Sequence, residues 1–264
     1  MYGITFSLMI IFLLNIYIFV NPIKINRSLM VHYKKYRRAF VMFGQALLLV
    51  STEKRYAFFT LFTIAYYAFV YVGTNILFVI NVIGLCLMIN FRWILVHYKK
   101  FKRDVSKRDK QPLSNEKQSQ KIQCLIRYFL PQYFAFLFYF AIGGLPIASF
   151  YAYCLFACKD ERHIDYWLYL PTRIYWLLLI LALWVFSQGV AEYHLNFKQR
   201  NLINTLNGTW LESLIAGMLN TKFIVERDDQ KIVIGDGEQP ITIDQCLLVF
   251  YALNLSPFLL IFAW

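Results

Sequence analysis

From Tyr56 to Phe91 the chain carries no Asp, Glu, Lys or Arg. A single helix through the whole block would far exceed the ~20 residues that cross a bilayer. The "VGTN" at 72–75 offers a turn near its middle, which predicts a tight hairpin of two spans. Composition points the same way. Of 264 residues 59% are hydrophobic, 19% aromatic and only 16% charged, where a soluble domain carries about 25% charged residues. The apolar residues come in long blocks rather than alternating with polar ones, so the solvent they call for is lipid. The expectation is an all-α, multi-pass helical membrane protein of about six spans.

The other spans follow from the remaining blocks. Residues 3–20 form an apolar run followed, not preceded, by bases, which suits a retained helix rather than a signal peptide. Residues 24–38 read as a basic loop, and the short run 39–50 as a segment in the interface. The stretch 128–158 is apolar but broken by "GGLP" at 143–146, giving either one kinked span or two half-length segments meeting at Gly143-Gly144. Broken backbone at membrane depth is tolerated only where protein or a cavity surrounds it. A further span runs from Trp167 to Val190, and the last occupies 245–264. Between them lies a polar region, 191–244, with a helical apolar period first. Then "KFIVERDDQKIVIGDGEQPITI" alternates and turns like a β-hairpin. The whole of 1–264 reads as one membrane domain carrying this small α/β-hairpin insertion.

Charge is divided unevenly. Residues 1–127 hold 19 Lys and Arg against 4 Asp and Glu, whereas 128–264 hold 8 against 11. Two basic phrases, "VHYKKYRRAF" at 31–40 and "VHYKKFKRDV" at 96–105, stand beside apolar runs. That placement fits the positive-inside rule and anionic lipid headgroups, with contacts at Lys34, Lys35, Arg37, Arg38, Lys99, Lys100, Lys102 and Arg103. It argues against nucleic acid as a partner. The basic loops 24–38 and 99–123 are therefore expected on the cytoplasmic side of the membrane, with the 191–244 region. Five cysteines in no Cys-x-x-Cys pair argue against a disulfide framework or a zinc site.

Motifs of catalysis are few. There is no Walker loop, no His-Glu-x-x-His and no serine nucleophile elbow, and the four histidines are scattered. Arg173, after "LYLP" at the start of a span, needs a partner or a snorkelling route, and Asp165 eight residues upstream is a candidate. Asp228, Asp229, Asp236 and Glu238 form an acidic set suited either to Mg²⁺ or to an ordinary solvated turn, with Lys231 between the pairs to compete with a metal. No cofactor is expected on this reading.

"IRYFLPQYFAFLFYFAIGGLPIASFYAYCLFA" (126–157) followed by "IDYWLYLPTRIYWLLLILAL" (164–183) resembles the CobD/CbiB–AmpE family of bacterial inner-membrane proteins. "NGTWLESLIAGML" (207–219), with Asn207 and Trp210, and "KIVIGDGEQPITIDQ" (231–245) look like later family elements. The resemblance covers 126–264 by motif and the first half by layout. One branch joins aminopropanol or its phosphate to adenosylcobyric acid, using ATP and Mg²⁺. Its "E-N-T-x-D-G" stretch is here "KIQCLIRYFLP", its Asn-Thr-x-Asp is "ACKDERH", and its "R-D-T" survives as "KRDV" around Asp104. Losing two acidic elements at once favours the other branch, an AmpE-like, non-catalytic component associated with β-lactamase induction. The residues this resemblance puts forward as functional are Asp104, Asp165, Arg173, Asn207, Trp210, Lys231, Asp236 and Glu238. The divergent ligase, with Mg²⁺ and ATP, stands as the alternative. A transporter, the third class, would need paired inverted segments.

Overall fold

The computed structural model describes residues 7–11, 13, 27–72, 75–89, 96, 100, 103, 115–157, 161–186, 209–219, 221–227, 230–234, 249, 252 and 253. Over these the chain is predominantly helical. In order they form α1 (Arg27–Leu48), α2 (Thr52–Val72), α3 (Asn75–Met88), α4 (Asn115–Phe129), a π-helical turn (Leu130–Phe134), α5 (Ala135–Ala157), α6 (Glu161–Phe186) and α7 (Thr209–Met218). Strands β1 (Phe223–Arg227) and β2 (Gln230–Ile234) follow. Packing divides the chain into two compact units, one of 1–96, 131–167 and 260–264, the other of 97–130 and 168–259.

The charge-free block forms two helices, α2 and α3, on either side of 73–74, where "VGTN" predicted the turn. The basic segment departs from expectation. From Arg27 on the expected loop 24–38 is helix, because α1 runs unbroken from Arg27 to Leu48 and joins the basic phrase to the short apolar run. No proline interrupts it, and its half-buried side chains recur at helical spacing. Tyr33, Arg37 and Phe40 lie half-buried at i, i+4 and i+7, while Lys34, Lys35 and Arg38 stay exposed. The carbonyls of Ala46 and Leu47 accept from Leu49 and Val50 to close the helix, and the Ser51 carbonyl accepts from Arg55 to open α2. Similarly, α4 begins at Asn115, so the expected loop 99–123 ends early. The helix expected from Trp167 starts at Glu161.

In the first unit α5 packs against α1, α2 and α3. Gly84 lets α3 and α5 approach closely, since a Cβ there would run into Leu145. Leu85, Phe134, Phe136, Phe140 and Tyr151 are fully buried. Each side chain of this size makes dozens of dispersion contacts of about 0.1–0.2 kcal/mol, a term that does not depend on whether the outer solvent is water or lipid. An aromatic chain runs through the unit: Phe59 meets Phe150 at 5.2 Å, Phe150 meets Trp167 at 5.5 Å, Trp167 meets Tyr139 at 5.6 Å and Tyr139 meets Tyr151 at 4.9 Å. Its hydroxyls attend to backbone that proline disturbs. Tyr151 donates to the carbonyl of Pro131 at 2.8 Å, inside the π-helical turn that accommodates that ring. Tyr139 donates to the Trp167 carbonyl at 2.5 Å. That carbonyl has no helical donor, because the residue four further on is Pro171.

In the second unit α4 meets β1 and α7, and α7 meets β2. The inward stripes are helical in period: Ile122, Leu125, Ile126 and Phe129 on α4, and Leu211, Leu214 and Ile215 on α7, all buried. The strands pair antiparallel from Phe223↔Ile234 to Arg227↔Gln230, as the alternation predicted, with Val233 facing out and Ile234 in. Tyr175 is buried and donates to the Leu253 carbonyl at 2.6 Å. Among the described residues one helical run, Ile122–Leu155, is long and apolar enough to cross a membrane by length and composition.

Candidate functional site

The break foreseen at Gly143-Gly144 lies within α5, where two helical segments meet across a kink. Gly143 (φ −143°, ψ 22°) and Gly144 (φ 66°, ψ −159°) leave the helical region. The Gly144 pair of angles falls in a region that essentially only glycine visits. Pro146, two residues on, removes another backbone donor. A break of this kind exposes polar backbone within an apolar helix, and three side chains from the charge-free block answer it. Tyr67 on α2 donates to the Gly143 carbonyl at 3.2 Å. The Tyr66 hydroxyl packs against Gly144 and donates to Asn81 Oδ1 on α3 at 3.1 Å.

The fit around Gly144 is close. A Cβ on it would lie 2.5 Å from the Tyr66 hydroxyl oxygen and 2.9 Å from two ring carbons. Asn81 is wholly buried, and its Nδ2 has no acceptor among the described residues. The arrangement therefore holds a kink in place and keeps one amide donor in reserve. Tyr66, Tyr67 and Asn81 offer hydroxyl and amide groups that donate and accept hydrogen bonds.

Beside the kink, within the same unit, is a cavity of about 250 Å³. Its walls come from α1, α2, α3 and α5 and are almost wholly apolar; Gly84 and Leu145 join it to the break, and Ser149 and Tyr153 bring its hydroxyls. At one end Arg55 Nη1 donates to the Tyr153 hydroxyl at 2.6 Å, and Nη2 reaches Thr52 at 3.4 Å. Phe43 and Phe58, in edge-to-face contact at 6.0 Å, stand at the exposed side.

None of the functional residues singled out from sequence that the structure describes is among those at the break or lining the cavity. Asp104, Asn207, Asp236 and Glu238 are outside the described residues, as are Asp228, Asp229, Lys99 and Lys102. Asp165 is on α6, Trp210 on α7 and Lys231 on β2 by their backbones. Arg173 does not start a span, since α6 begins twelve residues earlier. Its guanidinium lies 5.2 Å from the Tyr169 ring centroid, one helical turn back. Asp165, eight residues upstream in the same helix, is roughly 12 Å away along the axis. Among the described residues no group of three or more His, Cys, Asp or Glu is gathered for a metal. Sequence reasoning missed Tyr66, Tyr67 and Asn81. The available signal was Asn81 in the interior of an apolar, charge-free helix, where an amide needs a partner.

No family model matches the chain, and no curated protein or solved structure gives a significant match.

Proposed function

We propose that the chain is a multi-pass helical protein of the bacterial inner membrane, AmpE-like and non-catalytic, acting as a signalling component linked to cell-wall turnover and β-lactamase induction. The observation that carries the membrane placement is the outward face of the helices. On α2, Leu61 is 66% exposed, Ile64 60%, Phe69 57% and Tyr71 94%, and α3 and α6 similarly expose Ile83, Tyr166 and Leu181. In water so much contiguous apolar surface is a liability. In hydrocarbon it meets its proper solvent, while each helix satisfies its own backbone. The 21 residues of α2 span roughly 31 Å at 1.5 Å each, matching a hydrocarbon core of about 30 Å. The exposed bases Lys34, Lys35, Arg38, Lys100 and Arg103 suit contact with anionic headgroups on the cytoplasmic face.

The kink supports the signalling half of the reading. The bend is held by Tyr67 on the Gly143 carbonyl and by Tyr66, itself bonded to Asn81, against Gly144, and a latch of a few side-chain contacts is the kind of element a signal acts upon. Amide ligation with ATP would instead need carboxylates to hold Mg²⁺ against phosphate. Expression in a host lacking cobinamide synthase tests the proposal. The protein should stay in the membrane after alkaline carbonate washing and fail to restore cobinamide formation from cobyric acid. Release by carbonate would remove the membrane reading, and rescue that Asp236→Asn abolishes would install the ligase.

A further inference from the structure

We infer that the cavity between α1, α2, α3 and α5 binds a single acyl chain headed by a carboxylate, with Arg55 and Tyr153 receiving the head. The volume argues for one chain. At the ~30 Å³ that a water molecule occupies in the liquid, about 250 Å³ takes roughly eight small groups in a row, the inner part of one tail. It is below the ~300–1,000 Å³ of pockets for drug-sized molecules. The lining argues for hydrocarbon, being phenylalanine, leucine, methionine, Ala152 and Gly84 apart from Ser149 and Tyr153. The small side chain of Ala152 leaves space that a larger one would fill.

The charge at its end argues for the head. Arg55 spends Nη1 on Tyr153 and one long bond on Thr52, and its Nε–H is buried with no acceptor among the described residues. A buried cationic donor without an acceptor is costly, and an anion relieves it. Nε–H with an Nη2–H forms the planar fork that matches the two oxygens of a carboxylate. The Tyr153 hydroxyl accepts from Arg55, which leaves its own proton to donate to the same head group. A single guanidinium fork and one hydroxyl suit one negative charge.

The experiment uses the full chain in nanodiscs of zwitterionic lipid, with a diazirine-bearing dodecanoic acid as photoprobe and mass spectrometry to map adducts. Labelling should be saturable, map to α1, α2 and α5 around the cavity, and fall at least tenfold in Arg55→Gln and in Ala152→Phe, which fills the space. Arg55→Lys should recover part of it. Unlabelled dodecanoate should compete, whereas its methyl ester, equal in tail and lacking the charge, should not. The ester comparison needs only the native protein, so it stands even if a variant fails to fold. Equal competition by acid and ester overturns the proposal, as does undiminished labelling of an Arg55→Gln protein that melts like the wild type. Competition by phosphatidylglycerol but not by dodecanoate would assign the site to a two-chain lipid and likewise overturn it.

Discussion

Gly144→Ala probes the kink at the atom that shapes it. The substitution has two separate costs. At φ 66°, ψ −159° an L-residue is strained by about 1–3 kcal/mol. The new Cβ, 2.5 Å from the Tyr66 hydroxyl, also drives that hydroxyl from Asn81 Oδ1. Leaving buried groups unsatisfied costs a further ~1–3 kcal/mol. Together the loss is roughly 2–6 kcal/mol, a large share of the 5–15 kcal/mol by which a typical native protein is stable. Reversible unfolding in mixed micelles, followed by tryptophan fluorescence, reads it directly. The two costs can be separated with Tyr66→Phe, which alone removes the hydrogen bond to Asn81 and in combination relieves the closest contact of the Cβ, that with the hydroxyl oxygen, leaving the two ring carbons at 2.9 Å. The double variant should therefore be less destabilised than the sum of the singles by at least 1 kcal/mol. If Gly144→Ala lies within about 0.5 kcal/mol of wild type, the range of an ordinary surface change, the latch does not exist. Strict additivity would deny that Tyr66 and Gly144 are in contact.

Tyr139→Phe should cost about 1–3 kcal/mol by stranding the Trp167 carbonyl, and adding Pro171→Ala should recover most of it by restoring a helical N–H; no recovery would refute that account. Arg173→Leu should lose about 0.5–2 kcal/mol of cation–π contact with Tyr169, with Arg173→Lys milder and Asp165→Asn neutral in thermal melting; a large effect of Asp165→Asn would restore the ion pair anticipated from sequence. For topology, single cysteines at Ser28 and Ser119 in a cysteine-free background should both be shielded from an impermeant thiol reagent in intact cells. Labelling of only one would break the α2–α3 hairpin.

Much of the architecture was present in one dimension. A charge-free block too long for one span, with "VGTN" inside it, dictated two helices, because a helix cannot outrun its solvent and glycine beside polar residues marks the bend. Alternation between Phe223 and Ile234 dictated a hairpin, since a period of two puts apolar side chains on one face only. "GGLP" announced the break in α5. The continuity of α1 was legible in its i, i+4, i+7 spacing, but its bases drew the eye to a loop, although a helix carries such charges on its outer face. The candidate site was the part least available. Gly144 needs Tyr66, seventy-eight residues away, and that pairing, like Arg55 with Tyr153, follows from how helices pack rather than from any local pattern. Sequence names the residues able to donate, accept or stay apolar; only the tertiary structure decides which meet, because hydrogen bonds and close packing act over a few ångströms and chain separation does not measure that distance.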